Sequence, residues 1–479
     1  GRTAQPHLRE VSSARRDNGR GLCRVALSTL MAGAYSTALG RWLYARSPGV
    51  VRDVATTAYA AKARRVRFGS HFHAELERLA SGPRYSAESS RSRAEAYFDR
   101  WARRCAGYSD VTRFDDCPIL TKATYWARPG AFVPSGGADG ASIHRTTSGT
   151  TGRPLIVPTT IRALQEDNAF VWDHRRWHGC PFGTRTATLG SHPVTPMTQD
   201  DPPFWARNYL DHQLIFSSYH LSERNGAAYA AALRRFEPAL VHGFSSSVAA
   251  AARYCETHGV RLQPRAVITS SEVLHEHQRS LIQRVFGRQV FTYYGNVEGA
   301  GHVSECEAGR LHIREDHSFV EILDEAGSPT APGTPGRLVA TAFRNTATCL
   351  VRYDTGDIAT LSASTDCTCG RPGRILDSIE GRENDWVIDG DGHRISSPSL
   401  SLVFVALPLL SEGQIVQSVP GHLEIRVVCS ETELPAVEAA LREALTRRMS
   451  PSTTVTVTRV EQLERTAGGK TSLVLRKTT

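Results

Sequence analysis

The sequence predicts an α/β protein: a large N-terminal domain of several subdomains, with mixed sheets and covering helices, followed by a small, mobile α+β C-terminal domain. Three observations predict it. Between residues 186 and 293 short apolar runs alternate with helical stretches, the pattern of parallel sheets covered by helices. From Gly301 the helical periodicity stops, and strands follow at 319–323 and 337–342. Beyond Gly381 a strand at 423–428, an amphipathic helix at 431–449 and a strand at 454–460 make a separate unit of about 100 residues.

A chain of 479 residues is too long for one small core. The division expected is a helical N-terminal region at 1–110 that completes the large domain, a core at 111–381 and a small lid domain at 382–479. No period of 20 to 50 residues is visible, which excludes a repeat array. An apolar content of 40% with 22% charged residues is that of a soluble globular protein, and a cytoplasmic location is expected. The apolar stretch at 25–39 is interrupted by Ser28, Thr29, Gly33, Ser36 and Thr37. It is too short and too polar to span a bilayer, so no membrane association is expected. The start at Gly1 in place of Met reads as a processing scar. The net charge of +9 comes from arginine, much of it in the first 105 residues, and suits polyanionic ligands. No basic stripe interleaved with aromatics points to nucleic acid. Ten cysteines in a chain this long do not make a disulfide framework.

Taken in order, the first 110 residues read as helices, with Phe72, Leu76 and Leu79, then Ala94, Tyr97, Phe98 and Trp101, at helical spacing. Cys117-Pro118-Ile119-Leu120-Thr121-Lys122 leads into the core, and 129–140, rich in Gly, Pro and Ser, reads as a loop. Strands follow at 186–189, 239–242, 266–269 and 290–293, with helices at 229–236, 247–257 and 274–286. Ligands of such sheets sit beyond the C-terminal ends of the strands. The loops at Gly243-Phe244-Ser245, Ser270-Ser271-Glu272 and Tyr294-Gly295 fall there, with Tyr293 just inside. Trp172, His174, Trp177, His192 and Trp205 precede them as possible apolar walls or as core.

Five polar segments carry candidate chemistry. At 146–154 five hydroxyls and two glycines share one loop; Thr147, Ser148, Gly149, Thr150, Thr151 and Gly152 can wrap phosphate oxygens with amides and hydroxyls. No Lys follows Gly152, so this is not the Gly-x4-Gly-Lys loop, and a polar turn between strands is the alternative. Glu298, after Tyr294-Gly295-Asn296-Val297, can hold Mg²⁺ through water and phosphate oxygens, or be a surface glutamate. Asp357, in Arg352-Tyr353-Asp354-Thr355-Gly356-Asp357, can accept two hydrogen bonds from a ribose diol, or close an ordinary turn. Gly381-Arg382-Glu383-Asn384-Asp385 is a polar joint between the two domains. Lys470, after Gly468-Gly469, is a mobile point charge able to reach a phosphate once a domain closes, or part of a basic tail. A sixth group, Cys306, His312, Cys367 and Cys369, makes a closed tetrahedral Zn²⁺ site chemically reasonable, with free buried cysteines as the alternative. His302 and His317 are possible substitute ligands.

In order and spacing these segments resemble the adenylate-forming enzymes, in the branch of phenylacetate–CoA ligase-like and capsule-biosynthesis proteins, over roughly residues 115–479. The resemblance implies an ATP- and Mg²⁺-dependent acid ligase, AMP-forming, with the nucleotide on 147–152, Ser271, Glu272, Tyr294, Gly295, Asn296, Asp357 and Arg382. It implies Lys470 and Glu298 as catalytic residues, a hinge at Arg382, and a structural zinc on the cysteine group. The acid is placed against Gly243, Phe244, Ser245 and Tyr293. Coenzyme A is the implied acceptor, giving a thioester; an amine acceptor, giving an amide, is the alternative. Two positions depart from the pattern: Val297 stands where Thr is usual, and Asn384 where Asp is. They keep open a non-catalytic nucleotide-binding or zinc-containing binding protein. Monomer and homodimer stay open.

Overall fold

The structure, a computed structural model, describes residues 47–477 except 82–84, 147–154, 191–193, 197–198, 222, 383–385, 393, 397–399, 401–403, 405–411, 447–448 and 466–470. Three helices open it, α1 (Gly49–Arg67), α2 (Ser70–Ser81) and α3 (Ala87–Arg100), the helical start that the periodicity predicts. α3 begins on a Ser86–Ser89 capping box that satisfies two orphan amides. After the short α4 (Lys122–Ala127), β1 (Ser142–Thr146) and β2 (Ile156–Thr160) form a hairpin, Thr146 opposite Ile156. The stretch at 129–140 departs from a plain loop: Pro129–Phe132 is a 3-10 turn, because Phe132 stacks on Tyr125 at 5.7 Å inside the core.

Thr160 caps α5 (Ile161–Trp177), its hydroxyl accepting from the Ala163 amide at 3.1 Å. β3 (Thr186–Gly190), β4 (Trp205–Asn208), β5 (Gln213–Ser217), α6 (Gly226–Phe236), β6 (Leu240–Gly243), α7 (Ser245–Thr257), β7 (Ala266–Ser270), α8 (Glu276–Phe286) and β8 (Val290–Gly295) follow. The β-only half is β9 (His302–Glu305), β10 (Leu311–Ile313), β11 (Phe319–Leu323), β12 (Pro335–Thr341), β13 (Tyr353–Leu361) and β14 (Ile375–Arg382). All of β3–β14 join one sheet in the order β11-β12-β13-β14-β10-β9-β8-β7-β6-β3-β5-β4. Its middle, β5-β3-β6-β7-β8, is parallel, and the flanks are antiparallel. Helices α6, α7 and α8 bury Leu233, Val248 and Ile282 against it. Each such burial stabilises by roughly 1.5–3 kcal/mol.

The C-terminal unit has β15 (Trp386–Ile388) and β16 (Arg394–Ser396) as a two-stranded piece, then β17 (Glu412–Val419), β18 (His422–Val428), α9 (Leu434–Thr446), β19 (Thr454–Arg459) and β20 (Val474–Arg476). Its sheet runs β19-β18-β17-β20, with the last strand parallel to β17. α9 seats Val437, Leu441 and Leu445 on that sheet. Among the described residues no helix is long and apolar enough to cross a membrane.

A buried ionic network fixes α2 and α5 to the turn before β11. Asp316 receives Arg78 at 3.1 Å and Arg314 at 3.5 Å, Arg344 bridges Glu75 and Glu166 at 2.9 and 2.6 Å, and Arg314 reaches Asp173 at 3.0 Å. Burial works against the Asp316 carboxylate, but Arg314, Arg344 and Arg78 outweigh it and hold its pKa down at about 2. A depressed folded-state pKa gives stability that is full above the ordinary carboxylate value and lost as pH falls through the folded one. Urea unfolding between pH 4 and pH 2 is expected to show a loss of about 2 kcal/mol from this group, and Asp316→Asn should flatten that slope.

Candidate active site

A cavity of about 1800 Å³ opens at the C-terminal ends of β6, β7 and β8, between α5, the sheet and the strands β17 and β20 of the small unit. Thr146, the last residue of β1, lines it. The predicted phosphate loop at 147–152 connects Thr146 to β2 and lies outside the described residues, as does Lys470. Thr471, the neighbour of Lys470, lines the same cavity.

The segment after β8 is held by its own side chains. Asn296 Oδ1 accepts from the Ala300 amide at 2.9 Å, and its Nδ2 donates to the Tyr294 hydroxyl at 3.3 Å. Tyr294 in turn donates to Asp357 Oδ2 at 2.7 Å. Burial first, and then Asp357, push the Tyr294 phenol well above its ordinary pKa, so it stays a donor. Glu298 Oε1 accepts from the Tyr353 hydroxyl at 3.1 Å. Tyr294, Gly295, Asn296, Glu298 and Asp357 all line the cavity. The arrangement can present two carboxylates, from segments 59 residues apart in sequence, to one polyphosphate ligand.

The motif ending at Asp357 divides its labour. Arg352 donates to both oxygens of Glu321 at 3.2 Å and to the Cys117 carbonyl at 3.1 Å, tying β11 and the lead-in segment to β13. Gly356 has φ 76°, a left-handed backbone that glycine permits at no steric cost. The Arg382 backbone pairs opposite Asp357 across β13 and β14.

Ser271 and Glu272 also line the cavity. Glu272 accepts from the Ser246 amide at 2.9 Å and from the Thr471 amide at 2.7 Å, so it joins α7 to the chain's last segment. Burial raises its carboxyl pKa, and the two amides pull the other way. Of the predicted acid-pocket residues, Tyr293 lines the cavity; Gly243, Phe244 and Ser245 do not, and Ser246 and Ala249 stand there instead. The reason is packing. A Cβ on Gly243 would lie 2.1 Å from the Leu189 carbonyl oxygen, so this glycine lets β3 and β6 approach, and Phe244 and Ser245 are buried behind the wall. Trp172, His174, Trp177 and Trp205 are not among the lining residues either: Trp172 packs on Phe182, and His174 Nε2 sits 2.8 Å from the Glu305 carbonyl. His192 lies outside the described residues.

Sequence reasoning did not identify α5, whose Leu164, Asp167, Asn168, Val171 and Arg175 form one wall of the cavity. Their helical spacing behind a Thr cap was the available signal. Asp167 meets His317 Nε2 at 3.2 Å and Arg145 at 3.3 Å, and His302 completes a group whose ligand-type atoms lie within 4.8 Å of one another. His302 and His317 therefore belong here and not with the cysteines. Burial opposes the Asp167 charge, but His317, Arg145 and His302 hold its pKa below the ordinary range.

Cys306, His312, Cys367 and Cys369 come together away from that wall, their ligand atoms within 4.8 Å of one another. Cys306 Sγ to Cys367 Sγ is 3.7 Å, and Cys369 Sγ to His312 Nε2 is 3.4 Å. Tetrahedral zinc with ordinary bond lengths has edges of about 3.8 Å for S–S and about 3.5 Å for S–N. His312 Nδ1 lies 3.3 Å from the Pro372 carbonyl, which favours the tautomer that leaves Nε2 facing Cys369. The four residues fit a closed zinc site.

The fold and this cavity define the class of an adenylate-forming ligase. Residues 387–477 match the family described as CapK C-terminal domain. The chain is 22% identical to Protein CapK of Staphylococcus aureus over 447 residues, covering 90% of this chain and 97% of that one. It is 30% identical to a phenylacetate–coenzyme A ligase of Thermus thermophilus over 376 residues, 70% of this chain and 80% of that one. A 2-hydroxyisobutyryl-CoA ligase in its postadenylation state with 2-HIB-AMP shares the fold, with a TM-score of 0.56, 17% identity and 91% of each chain covered. The chain belongs to the phenylacetate–coenzyme A ligase family of adenylate-forming enzymes and is an AMP-forming acid ligase.

Proposed function

We propose that this enzyme joins a small carboxylic acid to coenzyme A through an acyl adenylate. The observation that carries the reading is that Glu298, Asp357 and Thr471 line one cavity, so that the Tyr-Gly segment, strand β13 and the residue beside Lys470 face the same space. In this reading residues 147–152 cradle the phosphates, Asp357 takes the ribose diol and Tyr294 orients it, with Ser271, Glu272 and Arg382 at the nucleotide's edge. Glu298 would hold Mg²⁺, which when bound would neutralise charge on the departing pyrophosphate. The acid's carboxylate oxygen attacks the α-phosphorus, the bond to the β-phosphate oxygen breaks, and pyrophosphate leaves with that electron pair. Lys470 stabilises the charge that develops at the α-phosphate. The unit at 382–479 then turns about residues 382–385, removes Lys470 and admits the acceptor thiol. A cytoplasmic site of action fits ATP and coenzyme A as co-substrates.

Pyrophosphate release over aryl, arylacetic, aliphatic and amino acids, followed by coenzyme A and amine acceptors, tests this. Thioester formation is the expected outcome. An amide with an amine acceptor would replace coenzyme A in the reading, and no ATP-dependent pyrophosphate chemistry with any acid would overturn it.

We further propose that Cys306, His312, Cys367 and Cys369 hold a structural zinc ion. Four protein ligands leave no open position, so its contribution is to folding. Cys367→Ser is expected to reduce bound zinc from one equivalent and to cost roughly 3 kcal/mol or more of stability before it affects chemistry. Metal analysis with thermal unfolding checks it; unchanged metal content would remove the zinc.

A further inference from the structure

Three arginines among the described residues are buried: Arg52, Arg175 and Arg314. Arg314 has Asp173 at 3.0 Å, and Arg52 has the Gln199 side chain at 2.6 Å. Arg175 is 7% exposed and lines the main cavity, yet among the described residues its guanidinium makes no ion pair and no hydrogen bond. Its Nε is a buried donor with no acceptor. The contact that remains is the Trp172 ring, 4.4 Å from its central carbon. Burial lowers its pKa, with Tyr293 and Cys180 the groups that favour the charge. Arg175 lies in the last turn of α5, whose carbonyl end offsets a fraction of the cost. Neither the ring nor the helix end replaces a counter-ion for a buried cation. A second buried atom without a partner, His302 Nε2, belongs to the same cavity.

We propose that Arg175 is the receptor for a second carboxylate on the acid substrate, so that the acids activated here are dicarboxylic. The inference rests on the ligase reading above. The reacting carboxylate is a poor occupant, because it surrenders its charge when its oxygen bonds the α-phosphorus and pyrophosphate leaves. An arginine paired with it would stand alone again in the acyl adenylate. A second carboxylate stays ionised through both half-reactions and keeps the pair intact. The position agrees. Arg175 and Tyr293 line the same cavity, and Tyr293 stands two residues before the Gly295 turn, about 7 Å along the strand. A short aliphatic chain or one aromatic ring spans such a gap between the two carboxylates. His302, held neutral by burial and then by His317 and Arg314, can supply a further hydrogen bond at that end.

The test compares matched pairs, glutarate against pentanoate and 2-carboxyphenylacetate against phenylacetate, in pyrophosphate release at one ionic strength. Wild type is expected to favour the diacid by about 10²-fold in kcat/KM, as for a buried charge pair against a missing partner. Arg175→Met, which keeps the packing on Trp172, should collapse that ratio, chiefly through KM, and Arg175→Lys should restore part of it. In thermal unfolding, millimolar glutarate should raise the Tm of wild type and not of Arg175→Met, and the unliganded variant should melt above wild type because an uncompensated buried charge is gone. A monoacid used as well as its diacid, with a ratio that Arg175→Met leaves alone, overturns the receptor while the ligase stands. Should no acid of either kind release pyrophosphate, the ligase reading fails separately. The receptor is then judged by melting alone, and the absence of a diacid-induced rise in wild type overturns it.

Discussion

Lys470→Ala is expected to slow acyl-adenylate formation by about 10³-fold or more while thioester formation from supplied acyl adenylate stays within a few-fold of wild type. The asymmetry follows from charge. In the first half-reaction a carboxylate approaches a phosphorus already surrounded by anionic oxygens, and a cation aimed at the developing charge is worth several kcal/mol in a site that excludes water. In the second, the attacked carbon belongs to a neutral acyl group and the lysine has no comparable task. Thr471 lines the cavity and donates to Glu272, so the residue after Lys470 is held in the cavity wall. Single-turnover measurement of each half-reaction checks this. Adenylation surviving in the variant would remove Lys470 from the mechanism.

Glu298→Gln is expected to lower kcat/KM for adenylation by about 10²–10³-fold and to raise the Mg²⁺ concentration needed for half-maximal rate. The amide keeps the shape of the side chain and can still accept from Tyr353, whose hydroxyl lies 3.1 Å from Glu298 Oε1. What it loses is the negative charge that a hard cation requires. Stability should fall by no more than about 1 kcal/mol, since a charge-assisted hydrogen bond is replaced by a neutral one in the same geometry. An equal rate with an unshifted Mg²⁺ dependence would show that Glu298 serves the turn and not the ion.

The sequence made the large outline legible because the strands of the parallel half are short apolar runs closed by turn residues, and these signals are local. Strands 266–270 and 319–323 lie where the runs are. The backbone around Glu298 and Asp357 was legible because glycine-bearing motifs at fixed offsets report backbone shape directly. The acid pocket was not. Gly243 reads as a ligand loop, but its missing Cβ makes room for the Leu189 carbonyl, a fact of strand packing that no local pattern displays. Arg175 was missed for the converse reason. An arginine near a helix end is usually solvated, and only the tertiary structure reveals that this one is buried with no acid paired to it among the described residues. Cys306, His312, Cys367 and Cys369 were identifiable by type as one group, while the assignment of His302 and His317 to the Asp167 group required the fold.

The run from Arg352 to Asp357 joins two different obligations in six residues. Arg352 fastens Glu321 and the Cys117 carbonyl and never enters the cavity lining, whereas Asp357 does. A descendant that had abandoned catalysis would still need the first residue to stay folded and would be free to discard the last. On the proposed reading, a score over the whole hexapeptide would therefore count retired enzymes among working ones, and the aspartate with the glutamate at 298 would be the safer marker of a functioning copy.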